Sequence, residues 1–179
     1  MSKSLEKFNV SIQDSKNLLD MFDKQSKSNP ENAEVLKRAG LVMAFTAWET
    51  YVEDRLTESL SLQMKLIKGC SLGDFFQKKL DEELKRFNTP TSDKTKKLYK
   101  DFLGIEDVTE GWKWSNYEPA KSREQLNKWI ALRGEIVHHA KGVSTNPQPH
   151  IVKKDDLSKC ITFLEGLVKT FDAYVEKVL

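Results

Sequence analysis

From Leu5, apolar side chains recur at Phe8, Ile12, Leu19 and Phe22. That spacing of three and four lines one face of a helix and fits no strand. The pattern stops near the polar run KQSKSN, where Asn29 offers an N-cap and Pro30 suits the first helical position. A long second helix is therefore predicted, running to about Lys68 before Gly69 stops it. Ser71 is placed to cap a third helix carrying Leu72, Phe75, Phe76, Leu80, Leu84 and Phe87 on one side, broken at Asn88-Thr89-Pro90. A short helix from about Asp93 to Leu103 follows. Residues 104–118 show neither period and read as an ordered loop held down by aromatic side chains. Pro119 opens a helix bearing Leu126, Trp129, Ile130, Ile136, Val137 and Ala140, ended by Gly142. After the loop VSTNPQPHIV, Asp155 or Asp156 caps a last helix that runs to the C-terminus.

Helices account for the whole pattern, so the expected fold is all-α: an up-and-down helical bundle of about five to six helices in a single domain spanning residues 1–179. The chain is 39% hydrophobic and 31% charged, as in a helical protein able to bury its own core. No run approaches the ~20 apolar residues of a membrane span, and MSKSLEKFNV lacks the apolar core of a signal peptide, so the expected location is the cytoplasm. A net charge of +2 is too weak a field to announce nucleic acid by itself. Cys70 and Cys160 stand apart without a CxxC partner and are read as buried reduced thiols with no further role.

Two charges interrupt apolar stripes. On the penultimate helix, Arg133 fills the middle of the line from Leu126, Trp129 and Ile130 to Ile136, Val137 and Ala140. On the second helix, Glu49 falls in the line of Val42, Phe45, Val52, Leu56 and Leu60. Burying either charge alone costs several kcal/mol, so the two are expected to approach one another. Such a pair either fixes helix register or belongs to a functional site.

The histidines bear on that choice, since two of three stand together as His138 and His139, just beyond Arg133. His138 lies about 140° around an ideal helix from Arg133, so the length of arginine or a second chain must close the gap. An imidazole exchanges protons near neutral pH and a guanidinium grips phosphate oxygens. Together they suit RNA cleavage, in which the 2′-hydroxyl supplies the nucleophile and no metal is required. His138, His139 and His150 with Asp155 or Asp156 could ligate a metal, but no pair has i, i+4 helical spacing, and none is assigned. Triads, glycine-rich phosphate loops and zinc-finger spacings do not occur in the sequence.

The segment Arg133-Gly134-Glu135-Ile136-Val137-His138 resembles the Arg-x(4–6)-His signature of HEPN domains (higher eukaryotes and prokaryotes nucleotide-binding). AFTAWETYVEDRL at 44–56, followed far downstream by LRGEIVHHAKG, is similar to the RiboL-PSP branch of that superfamily. The resemblance implies a HEPN-like bundle and a metal-independent endoribonuclease with Arg133 and His138 as catalytic pair, His139 in reserve, and Glu49 orienting or neutralising Arg133. It further implies RNA, including tRNA, as substrate, no cofactor, and a homodimer with a composite active site. A toxin–antitoxin or phage-defence setting, with an antitoxin or defence-system partner, also follows from it. Gly134 departs from the polar residue, commonly asparagine, that active members often carry after the arginine.

Other positions bear on RNA. Lys141, directly after the histidines, is read as substrate-binding, and Lys94, Lys96, Lys97 and Lys100 form either a basic approach or a solvated face. Trp112-Lys113-Trp114 is either a base-stacking element or, the favoured reading, a pin for the loop. Two rival functions remain: a noncatalytic HEPN-like module that binds a nucleotide, RNA or protein, and a purely structural dimerising bundle.

Overall fold

The computed structural model describes residues 1–139 and 152–179, and the side chains of all these except residues 31, 32, 138 and 139. Among the described residues are six α-helices and one 3-10 turn: α1 (Lys3–Gln25), α2 (Pro30–Leu66), α3 (Ser71–Arg86), α4 (Ser92–Leu103), the turn Val108–Gly111, α5 (Pro119–His139) and α6 (Lys154–Val178). None of the helices is long and apolar enough to cross a membrane.

Local chemistry sets the helix ends. The Ser2 hydroxyl accepts from the Leu5 N–H at 3.0 Å to start α1, and Thr91 accepts from Lys94 N–H at 3.3 Å to start α4. Each bond satisfies a donor that a helix start leaves free. Two expected caps differ. The N-cap of α3 is Cys70, without a side-chain bond, and that of α6 is Lys153. Asp155 and Asp156 lie instead in the first turn of α6, where their charge complements the helix dipole.

Helix α2 is the centre, in contact with α1, α3, α4, α5 and α6. Ser15 bonds the Gly40 carbonyl at 2.7 Å, the Phe8 and Tyr51 rings lie 5.9 Å apart, and Lys7 meets Asp54 at 2.8 Å. These pairings run α1 antiparallel to α2. Gly40 lies against Leu157, Tyr51 against Phe171 and Arg55 against Asp172, so α6 runs parallel to α2. Trp48, Tyr51, Tyr99, Trp112 and Phe171 fill the middle as a buried aromatic cluster. Beside it, Arg55 Nε stands 3.1 Å from Asp172 Oδ1 in a buried ion pair, too poorly aligned for a hydrogen bond. Ser2 also donates to Asp172 from its N–H and hydroxyl, and Arg55 reaches Ser59 at 2.6 Å and Glu176 at 3.2 Å.

The loop between α4 and α5 is held as expected. Trp112 is fully buried, and Trp114 stacks on Tyr117 at 4.6 Å with Phe163 beneath both. The docking depends on glycine: a Cβ on Gly166 would stand 2.3 Å from Trp114 Nε1.

Two expectations fail. Leu72 and Phe75 are 65% and 62% exposed, because α3 turns the line Gly73, Phe76, Leu80 inward, with Gly73 close against the Ile67 carbonyl. That line lies about 100° from Leu72 and Phe75 on the helix. Cys70, likewise, is exposed at the α2–α3 turn; only Cys160 is buried, and burial pushes its thiol well above the usual range.

Candidate active site

Arg133 takes its expected place. Leu126, Trp129, Ile130 and Ile136 are buried along α5, and Arg133 continues their line, half-buried, with its Nε enclosed and no hydrogen-bond partner. On α2, Phe45, Val52 and Leu56 are buried, and Glu49 between them is half-buried with its Oε2 enclosed and likewise unpartnered. Helices α2 and α5 pack against one another.

Among the described residues, no hydrogen bond or ion pair joins Glu49 to Arg133, so neither satisfies the other directly. Water still reaches part of each half-buried side chain, so the desolvation cost that would force a pair is only partly incurred. What remains is one unmatched donor and one unmatched acceptor, on facing helices that both carry core stripes.

Glu53, one turn beyond Glu49, was not singled out by the sequence pattern. It is half-buried, and burial, then the charges of Glu49 and Asp54, push its carboxyl up to about 7. Near neutral pH this face of α2 therefore carries, at Glu53, a carboxyl that holds a proton about half the time. Period alone gave no signal, because Glu53 lies off the apolar line; its i, i+4 spacing from Glu49 did.

His138 and His139 occupy the end of α5. Their side chains, together with Lys141, His150, the expected stop at Gly142 and the loop to Ile151, lie outside the described residues. No set of three or more His, Cys, Asp or Glu positioned for a metal occurs among the described residues, which do not include those histidine side chains.

The remaining candidates separate. Trp112, fully buried against Trp48 and Phe171, cannot stack on a base, whereas Trp114 is half-exposed. Lys96, Lys97 and Lys100 are neutralised by Asp107, Asp101 and Glu106, and Lys94 reaches the Asn88 carbonyl at 3.4 Å. They form a paired, solvated face rather than a basic approach. The buried Arg55 and Asp172 were also missed, although each interrupts an apolar line as Arg133 does: Arg55 follows Trp48 and Val52, and Asp172 stands between Val168 and Val175.

A family model described as RiboL-PSP-HEPN matches residues 10–177. No curated protein and no solved structure matches the chain.

Proposed function

Since the chain belongs to the RiboL-PSP-HEPN family, whose domains serve RNase-type or nucleotide-binding functions, we propose that it is a metal-independent endoribonuclease acting on RNA, including tRNA. The observation that carries this reading is Arg133, which occupies a core position on α5 just before two histidines yet leaves its enclosed Nε unpaired. A pair that served only to fix helix register would be closed within the chain, and here it is open.

In the proposed reaction, His138 takes the proton from a ribose 2′-hydroxyl, and His139 is the reserve for that role. The new O2′–P bond forms as the P–O5′ bond breaks, and a proton passes to the leaving O5′. The products are a 2′,3′-cyclic phosphate and a 5′-hydroxyl. Arg133 stabilises the negative charge on the phosphorane oxygens, where a fixed guanidinium acts most strongly in a partly dehydrated site. Glu49 orients Arg133, and Lys141 holds a neighbouring phosphate. In a homodimer with a composite site, Arg133 of one chain would work with a histidine of the other. Toxin or phage-defence use in the cytoplasm, restrained by an antitoxin or other defence-system partner, fits this chemistry.

Gly134 favours a second reading. Among the described residues a Cβ there would meet nothing within 4 Å, so their packing does not demand glycine, and the polar residue that active members often carry is absent. On this reading the same cleft binds RNA or a nucleotide without cutting.

The test is incubation of total RNA and a tRNA pool with wild type and the Arg133→Ala, His138→Ala and His139→Ala variants, in EDTA. Cleavage that persists in EDTA, vanishes without Arg133 and one histidine, and leaves cyclic phosphate ends is expected. Equal inertness of folded wild type and variants would remove the enzymatic reading and leave binding.

A further inference from the structure

We propose that the groove between α5 and α6 is a binding track for single-stranded RNA, leading from a Trp114–Tyr117 stacking shelf toward the Arg133 turn. The proposal rests on the ribonuclease reading and supplies what that reading lacks: a place for the strand beyond the scissile phosphate.

Two adjoining hollows form the groove. One is lined by Lys128, Trp129, Leu132 and Glu135 of α5 with Asp156 and Lys159 of α6. The other is lined by Trp114, Tyr117 and Phe163, again with Lys159. Lys159 joins them into one path along antiparallel helices. From Pro119 to Glu135 that path follows about 24 Å of helix, room for several nucleotides. It ends at Glu135, on the turn of α5 that carries Arg133 but about 160° around the helix from it, so the strand must cross over α5 to reach the guanidinium.

Chemistry along the path suits a flexible polyanion with exposed bases. Of the four tryptophans, Trp48 and Trp112 are fully buried and Trp129 is 8% exposed, which leaves Trp114 as the indole open to a base. Tyr117, stacked on it at 4.6 Å, and Phe163 at 5.4 Å already fix its place, so a base that stacks on the outer side of the Trp114–Tyr117 pair orders no protein side chain. Lys128 and Lys159 are exposed and have no hydrogen-bond or ion-pair partner among the described residues, unlike Lys96, Lys97 and Lys100. Lys121 adds a third cation, 5.2 Å from the Tyr117 ring centroid. The two carboxylates on the path are accounted for: Asp156 sits in the first turn of α6, where the helix dipole offsets it, and Glu135 is already engaged within the chain. Stacking needs unpaired bases, so a duplex cannot use the shelf.

The test uses a fluorescein-labelled 2′-O-methyl oligouridylate, which cannot be cut, so binding is read apart from cleavage. Wild type is expected to bind it with quenching of tryptophan emission, and to bind a duplex of equal length more weakly. The Lys128→Glu/Lys159→Glu double variant should lose about tenfold or more in affinity, with a shallower salt dependence. Trp114→Phe, which keeps a ring on Phe163, should lose the quench while melting near wild type. Wild-type affinity in the double variant, or equal duplex binding, overturns the track even if cleavage is observed. A double variant that changes the protein's mass in solution and leaves RNA affinity intact would also overturn it, making the groove a contact between copies. Binding with these sensitivities but no cleavage of natural RNA would instead remove the ribonuclease reading and leave the track standing.

Discussion

Glu49 and Glu53 stand one turn apart on α2, and the carboxyl of Glu53 is forced away from ordinary carboxylate behaviour. Its carboxyl rises from 4.5 to about 7 through burial and the neighbouring charges of Glu49 and Asp54. Between those two pH values the folded chain holds a proton that the unfolded chain releases. Stability must therefore fall as pH rises through that window, and above it the charged Glu53 remains a net cost to the fold. Glu53→Gln should accordingly raise the melting temperature at pH 8 and leave it nearly unchanged near pH 5, as read by thermal melts at both values. An equal gain at the two pH values would show that burial of the charge is not what the fold resists. Arg133 carries the opposite charge, and its enclosed Nε has no hydrogen-bond partner.

At the scale of elements, the segment between α4 and α5 is fixed by contact with α6 rather than by hydrogen-bonded periodicity. Trp114 and Tyr117 exchange backbone bonds at 3.1 and 2.8 Å, and the indole then lies directly over Gly166. Gly166→Ala puts a methyl group 2.3 Å from Trp114 Nε1, so the indole must lift. A loss of about 1–3 kcal/mol in urea unfolding is expected, as for other overpacked contacts, with a red shift in tryptophan emission. Gly134→Ala is the matched control with the opposite sign. Its methyl group meets nothing within 4 Å among the described residues, and removing a mid-helix glycine should add up to about 1 kcal/mol in the same measurement. The same change in residue type thus separates a glycine required by packing from one that is not.

For the whole molecule, the issue is how Arg133 and a histidine five residues later come to act on one phosphate. Their offset of about 140° on α5 sets them on different faces of one helix. Under the proposed composite site, Arg133 of one chain meets a histidine of its partner, and mixing decides the matter. Equal amounts of the inactive Arg133→Ala and His138→Ala chains, co-refolded, should regain roughly a quarter of wild-type cleavage per chain: half the dimers are mixed, each with one intact site. No recovery, with mixed dimers demonstrated by mass, would place both residues of each site in a single chain. The aromatic cluster around Phe171 and the buried Arg55–Asp172 pair tie α2 to α6 in every chain, so this exchange leaves the monomer fold intact.

The sequence by itself determined the helices, because three-and-four periodicity and terminal residues such as Pro30 and Pro119 act over a few neighbouring positions. It also placed Arg133 and Glu49 on core lines, since an interrupted stripe is visible one helix at a time, and the RiboL-PSP branch was legible in 44–56 together with 132–142. Only the tertiary structure decided the rest, where the outcome depends on distances between helices. It left Glu49 and Arg133 unpaired, turned Leu72 and Phe75 outward, buried Trp112 while leaving Trp114 open, and brought Lys128 beside Lys159 from segments 31 residues apart. Periodicity tells which side of a helix is buried; how deeply, and against what, depends on the rotation and spacing of the helix it meets.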